Sequence, residues 1–349
     1  MLFDPLKLRD VQLKNRIAVS PMCQYSSEDG FANDWHFVHL GSFAVGGAGT
    51  VFTEATAVTP EGRISPEDLG LWKDEQIPFL QRITRFIREH GAVPGMQLAH
   101  AGRKGSTAVP WAGGKPLTVA QGGFSPIYAP SAVGFYPGHL PEALDEGGIA
   151  RIVQAFAASA ERALAAGFEV IELHAAHGYL LHEFLSPISN QRTDAYGQDR
   201  HKLVVEVARA TRKKWPERLP LFLRLSVSDW TEGGWDVEQS VTLARRLKAE
   251  GVDLVDCSSG GNVPGAKIPV GPGYQTQFAE AVKRGAGIPT GAVGMITSPQ
   301  QADHILRTGQ ADVVFLAREF LRNPRWPLAA AKALGVQVDW PKQYERARD

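Results

Sequence analysis

The chain alternates from end to end between short runs of β-branched and other apolar residues and longer stretches in which apolar positions recur every three or four residues. The apolar runs are Ile17–Ser20, Thr50–Glu54, Val93–Leu98, Val170–Leu173, Leu221–Leu225, Leu254–Cys257, Pro289–Val293 and Val313–Leu316. They lack the in–out alternation of a half-solvated sheet and read as parallel strands covered on both faces. Between them, Ile77, Leu80, Ile83 and Ile87 fall on one helical face, and Gly91 stops the run. The Ala-rich stretch Ile149–Ala166 ends at Gly167, Val237–Glu250 ends at Gly251, and Pro299–Arg307 ends just before Gly309. This succession predicts α/β architecture, and eight units in a chain of this length predict a (β/α)8 TIM barrel. A doubly wound sheet is the alternative, although no G-x-G-x-x-G turn follows the first strand.

Two stretches fall outside the repeat. Residues 1–16 read as a short hairpin closing the barrel bottom. The stretch from His100 to Asp145 follows the third strand, is rich in Gly and Pro, and carries Trp111, Phe124, Tyr128, Phe135 and Tyr136. Loops of that length within a compact domain are usually functional, so it is expected to overhang the C-terminal mouth as a lid. No composition shift marks a boundary, and residues 1–349 read as one domain.

Composition narrows the function. A formal net charge of zero, with no long Lys/Arg run, argues against a nucleic-acid or membrane-surface partner. No apolar run approaches the roughly 20 residues that span a bilayer, and Met1-Leu2-Phe3-Asp4-Pro5 lacks the blocks of a signal peptide. With only Cys23 and Cys257, neither a disulfide framework nor a four-thiolate cluster can form. A reducing cytoplasm is the simplest location.

In this fold, chemistry gathers at the C-terminal ends of the strands. The candidates there are Pro21-Met22-Cys23, Glu54-Ala55-Thr56-Ala57, Gln97, His174 with His177 and Tyr179, Arg224, Ser258-Ser259-Gly260, Gly294 and Ala317-Arg318. The strongest local signal is His174-Ala-Ala-His177-Gly-Tyr179. Two histidines three apart, just past a strand, can present two N–H donors to one oxygen, and the tyrosine adds a hydroxyl. That set suits polarisation of a carbonyl and delivery of a proton. A zinc site is the rival reading, although the third ligand would have to come from strand ends that offer mostly amide, guanidinium and thiol groups. Packed histidines without a role are another.

The chain resembles the old yellow enzyme family, in particular its bacterial xenobiotic-reductase-like branch. The matching segments are Lys14-Asn15-Arg16-Ile17, Ser20-Pro21-Met22-Cys23-Gln24-Tyr25, Asn33-Asp34-Trp35-His36, Glu54-Ala55-Thr56-Ala57-Val58 and Gln97-Leu98-Ala99-His100-Ala101-Gly102-Arg103-Lys104. They continue through His174–Pro187, Asn190-Gln191-Arg192-Thr193-Asp194, Ser258-Ser259-Gly260-Gly261, Gly291-Ala292-Val293-Gly294 and Ala317-Arg318. The resemblance implies an FMN-dependent ene-reductase with NADPH or NADH as reductant, acting on α,β-unsaturated carbonyl compounds (enones, enals, maleimides) and extending to nitro compounds. It places Gln97 and Arg224 on the pyrimidine side of the flavin, and backbone of Pro21, Met22 and Ala57 at the ring edge. Cys23 lies near the ring, and Val293, Gly294, Ala317 and Arg318 surround the phosphate. His174 and His177 hold the substrate oxygen, Tyr179 delivers the proton, and Tyr25 assists either task. The ending Pro341-Lys342-Gln343-Tyr344-Glu345-Arg346 is similar to that of the branch, in which the arginine reaches a neighbouring subunit's site. This implies a homodimer or homotetramer with Arg346 acting in trans. One departure stands out: after Arg192–Gly197 the chain has only Gln198-Asp199-Arg200-His201, where the family usually has a longer Gly-Ser-x-x-Asn-Arg stretch.

Dienoyl-CoA reductase relatives share the barrel but carry a cysteine cluster and further flavin domains, for which this chain has neither cysteines nor length. A metal-dependent TIM-barrel hydrolase and a non-catalytic binding barrel are the competing classes.

Overall fold

The computed structural model describes residues 1–348. Eight strands, β1 (Ile17–Val19), β2 (Thr50–Ala57), β3 (Val93–Ala99), β4 (Val170–Ala175), β5 (Leu221–Ser226), β6 (Leu254–Ser258), β7 (Thr290–Val293) and β8 (Val313–Leu316), close in chain order into a barrel. Every neighbouring pair is parallel, and β8 meets β1 through Val314↔Ile17. The outer helices are α1 (Asp34–Val45), α2 (Ile77–Glu89), α3 (Glu146–Ala165), α4 (Lys202–Lys214), α5 (Val237–Ala249), α6 (Thr276–Ala286), α7 (Pro299–Arg307) and α8 (Trp326–Leu334). The expected (β/α)8 barrel is the fold observed.

The boundaries differ in an informative way. Several strands run past the end of their apolar run: β2 to Ala57, β4 to Ala175, β5 to Ser226 and β6 to Ser258. The ladder continues there through Ala57↔Ala99, Ala175↔Leu225 and Ser258↔Ser226. Hydrophobicity stops where the core gives way to the mouth, whereas backbone pairing continues to the rim. The helix read from Ile149 begins at Glu146, because Asp145 Oδ1 accepts the Gly148 N–H at 2.6 Å and caps it. At the end of α2, Gly91 takes the left-handed φ of 69° that stops the helix.

Inside the barrel, Phe52 of β2 meets Phe222 of β5 and Phe315 of β8, with ring centroids 6.0 and 5.9 Å apart. Glycines make room for them. A Cβ at Gly95 would lie 2.6 Å from the Phe52 ring, and one at Gly291 would lie 2.4 Å from Phe315 Cε2. At the bottom, Leu6–Leu8 and Val11–Leu13 form the expected antiparallel hairpin and bury Leu8, Val11 and Leu13. Arg9 Nε ties the hairpin to Asp253, just ahead of β6, at 2.7 Å.

The long stretch after β3 is built from single turns and a two-residue parallel pair, Tyr128–Ala129 with Glu142–Ala143. It is anchored by Arg103 Nη1 donating to the Val133 carbonyl (3.2 Å) and by His139 Nε2 at 3.0 Å from the Gly105 carbonyl. Trp111 meets Tyr25 edge-on at 5.7 Å, and Phe135 lies 4.5 Å from Lys104 Nζ, so the segment covers one side of the mouth. No described helix is long and apolar enough to cross a membrane.

Gly291→Ala is expected to overpack the aromatic layer and to cost about 1–3 kcal/mol. Urea unfolding monitored by circular dichroism checks this; wild-type stability would show that the layer can yield.

Candidate active site

His174 is the penultimate residue of β4 and is buried, facing the mouth from the strand itself. The chain then turns through two left-handed residues, His177 (φ 60°) and Gly178 (φ 73°). Glycine is required at the second, since a Cβ there would lie 2.3 Å from the Gly261 carbonyl oxygen. The reversal brings three rings together: His174 lies 5.1 Å from His177 and 5.2 Å from Tyr179, both nearly edge-on. Lys104 Nζ staples the turn by donating to the carbonyls of His177 (2.8 Å) and Gly261 (3.0 Å), and it sits 5.0 Å from the centre of the Tyr179 ring. The Ser226 hydroxyl accepts the His177 N–H at 2.9 Å, and His177 Nε2 lies 2.7 Å from Ser258 Oγ.

Burial dominates the ionisation of this group. It pushes both imidazoles well below the usual histidine range, with the Arg224 and Lys104 charges adding to the effect. Both rings are therefore neutral at neutral pH, each with one N–H to donate. His174 Nδ1 is buried with no partner, so the site holds an unsatisfied polar atom. Burial also pushes the Tyr179 hydroxyl well up, with Cys23 and Tyr25 close enough to add to it, and the phenol keeps its proton.

The segment after β1 is clamped. Glu54 Oε2 accepts the Gln24 N–H at 2.9 Å, while Glu54 Oε1 lies 3.1 Å from His36 Nε2. This holds Tyr25 in a left-handed φ of 50° between Cys23 and the Trp111 ring. Burial pushes the Cys23 thiol and the Tyr25 hydroxyl up, so both remain protonated. Deeper in the barrel, Gln97 Nε2 donates to Glu172 Oε1 (2.7 Å), and Arg224 donates to Asp256 Oδ2 (2.5 Å) and to Ser20 Oγ (2.6 Å). On the opposite side of the rim, Gly294 has φ 120°, and a Cβ there would lie 2.8 Å from Gln275 Nε2. Gln275 is itself fixed, donating to the Val293 carbonyl at 3.0 Å and accepting from Ser259 Oγ at 2.5 Å. Ala317 follows β8, and Arg318 opens the short helix Arg318–Arg322 with its side chain exposed.

The structure thus brings His174, His177 and Tyr179 into one cluster near Cys23 and Tyr25, above the interior pair Gln97 and Arg224. Pro21 and Met22 follow β1 at the rim, half-buried. Ala57 is engaged elsewhere: its N–H goes to the Leu69 carbonyl at 2.9 Å, and its carbonyl accepts from Leu71 N at 2.9 Å. The backbone next to the Cys23 thiol is that of Ala55, beyond the register shift in β2. Arg346 does not reach the cluster. It is exposed on the tail turn Lys342–Ala347, which runs along the outer flank of α1 and the start of α8, with Tyr344 against Arg325 at 4.2 Å. The short segment at 198–201 is a buttress, with Asp199 paired to Arg246 of α5 at 2.7 Å.

Sequence reasoning gave no role to Lys104, Glu172, Asp256 or Gln275. Glu172 and Asp256 did carry a signal, since each is a carboxylate within an otherwise apolar strand; Gln275 carried none. Among the described residues, no group of three or more His, Cys, Asp or Glu side chains could hold a metal ion, so His174 and His177 lack the third ligand that the hydrolase reading requires.

Residues 1–337 match the NADH:flavin oxidoreductase / NADH oxidase family. An NADPH dehydrogenase of Geobacillus thermodenitrificans (strain NG80-2) is 50% identical over 352 residues, covering 99% of this chain and 98% of the relative. Among solved structures, morphinone reductase superposes with a TM-score of 0.78 at 25% identity, covering 98% of this chain and 91% of that one. A 2-naphthoyl-CoA reductase superposes with a TM-score of 0.85 at 25% identity over 96% of this chain; this chain spans only 52% of that larger protein. With the matched fold and full-length similarity in place, the chain belongs to the NADH:flavin oxidoreductase / NADH oxidase family, as an FMN-dependent oxidoreductase of the old yellow enzyme kind.

Proposed function

We propose that this enzyme is an NAD(P)H-dependent ene-reductase that reduces the activated C=C bond of α,β-unsaturated carbonyl compounds in a ping-pong reaction. The observation that carries the reading is the unpartnered, buried His174 Nδ1 beside a second neutral imidazole and a protonated phenol. A buried ring nitrogen without a partner is costly in isolation; in the tautomer that carries its proton on Nδ1 it is satisfied by an oxygen entering from the mouth.

The residues present fit FMN. Gln97 and Arg224 offer amide and guanidinium groups to the pyrimidine edge. Pro21, Met22 and Ala57 offer backbone groups to the ring edge, and the Ala55 backbone lies beside the Cys23 thiol. Gly294 and Val293 with Ala317 and Arg318 form a backbone and guanidinium cradle after β7 and β8, where this fold commonly holds phosphate. When bound, FMN supplies the two-electron chemistry, taking hydride from a nicotinamide and giving it to an electron-poor carbon. The relative named NADPH dehydrogenase supports a nicotinamide reductant, NADPH or NADH.

His174 and His177 donate to the substrate oxygen and draw charge from the double bond. Because both are neutral, they stabilise developing negative charge by hydrogen bonding without first giving up a proton. Tyr179 Oη gives its proton to the α-carbon. A phenol pushed up by burial is a weak acid, so it protonates the strongly basic enolate carbon and leaves the ground-state carbonyl alone. Tyr25, beside Cys23 and near Tyr179, helps hold the substrate oxygen or shares the proton delivery. Cys23, a thiol in a half-buried position, tunes the flavin through its proximity. Enones, enals, maleimides and nitro compounds share the polarisable acceptor that this site recognises. Arg346, free of any acidic partner among the described residues, is the group that a neighbouring subunit of a homodimer or homotetramer receives.

Anaerobic NADPH should bleach the flavin spectrum of the purified protein, and 2-cyclohexenone should restore it; a flavin that bleaches but is not restored by any activated alkene sinks the ene-reductase reading. His174→Ala or His177→Ala is expected to weaken phenol binding and to slow enone reduction by about 10²-fold with FMN still bound. Wild-type rates in both variants would remove the histidines from the reaction. Truncation after Lys342 is expected to raise the enone KM with FMN content unchanged, and unaltered kinetics would dismiss the contact in trans.

A further inference from the structure

Beneath the histidines lies a charged layer that the chemistry above leaves unexplained. Strand register sets it edge to edge: Gln97 of β3 pairs with Glu172 of β4, and Arg224 of β5 pairs with Asp256 of β6. Glu172 and Asp256 are 0% exposed and Arg224 is 4% exposed. Arg224 Nε lies 2.5 Å from Asp256 Oδ2 but 3.6 Å from Glu172 Oε1, which accepts instead from the Gln97 amide at 2.7 Å. Glu172 Oε2 and Asp256 Oδ1 have no partner. Among the described residues, neither carboxyl pairs with any cation besides Arg224.

One guanidinium therefore faces two carboxyl groups. Two ionised carboxylates would leave a net negative charge in a dry interior, where an uncompensated ion is strongly disfavoured. That charge would also oppose a reduced flavin overhead. Asp256 has the short, charge-assisted contact and takes the ionised role. We propose that Glu172 is a positioning residue that keeps a proton at neutral pH, orienting Gln97 and Arg224 as an electrically balanced cradle for the pyrimidine edge of the flavin. The proposal rests on the placement of Gln97 and Arg224 at that edge.

The ionisation of the groups agrees. Burial pushes both carboxyls up, Glu172 to about 8; the Arg224 charge opposes this at each, and the direct Arg224 hydrogen bond lowers Asp256 further, whereas the Asp256 charge raises Glu172. The groups facing it are Arg224 from β5, Asp256 from β6 and the neutral Gln97 from β3. Reduction of bound flavin to its anionic form takes two electrons and one proton. The added negative charge strengthens the hold of Glu172 on its own proton. Above the pH at which Glu172 ionises in the oxidised enzyme, reduction therefore draws a second proton from solvent to Glu172 Oε2. Two protons then enter with two electrons, and the fall of the potential with pH becomes twice as steep.

The test is the FMN reduction potential of the holoenzyme, measured from about pH 6 to about pH 9.5, with FMN stoichiometry and melting temperature recorded for each variant. Glu172→Gln is expected to follow wild type at the acidic end and to lack its break near 8. Its potential is then the higher of the two at the alkaline end. Asp256→Asn is expected to lose the break as well, because a single remaining carboxylate balances Arg224 and stays ionised throughout; it also serves if Glu172→Gln fails to fold. Coincident wild-type and Glu172→Gln profiles overturn the proposal, as does a uniform upward offset at every pH, or a break that persists in Asp256→Asn. Arg224→Met separates the two levels of inference. A lowered potential supports the placement of Arg224 at the flavin, whereas an unchanged one overturns that placement and the proton assignment with it.

Discussion

Everything at the mouth depends on the closed register of eight parallel strands. Closure removes the edges, and parallel pairing sends every strand's C-terminal end to the same rim. Because side chains alternate along each strand, register also decides which residues become neighbours inside. Gln97 opposite Glu172, His174 opposite Arg224 and Arg224 opposite Asp256 are consequences of pairing, not of any local motif. A one-residue slip in β5 would turn Arg224 out of the barrel.

The interior is graded along its axis. Phe52, Phe222 and Phe315 fill the bottom and make the barrel a packed body. Above them lies the layer of Gln97, Glu172, Arg224 and Asp256, and above that the imidazoles. Each level makes the next possible: the apolar layer excludes water, exclusion of water strengthens the ion cluster, and the nearby Arg224 cation adds to burial in keeping the histidines neutral.

The loops add clamps. Lys104 holds the His177 turn, and Glu54 with His36 holds the Cys23–Tyr25 segment, so that two left-handed non-glycine residues, His177 and Tyr25, stay in conformations that L side chains rarely adopt. Strain at these two positions is offset by the hydrogen bonds that hold the backbone around them.

The sequence by itself determined the class of fold, the chain order of strands and helices, and the placement of His174, His177 and Tyr179 together at the end of one strand. Those features are local: periodicity reports burial, and glycines and caps report ends. It stopped several of the apolar strands early at the mouth, β2, β4, β5 and β6 among them, because hydrophobicity ends before hydrogen bonding does. The partners of the site were decided only by tertiary structure. Ser258 beside His177, Gln275 behind Gly294, and Glu172 and Asp256 around Arg224 come from elements separated by tens of residues. No pattern along the chain encodes their angle around the barrel or their height within it; closure and register fix both, and with them the charge balance of the site.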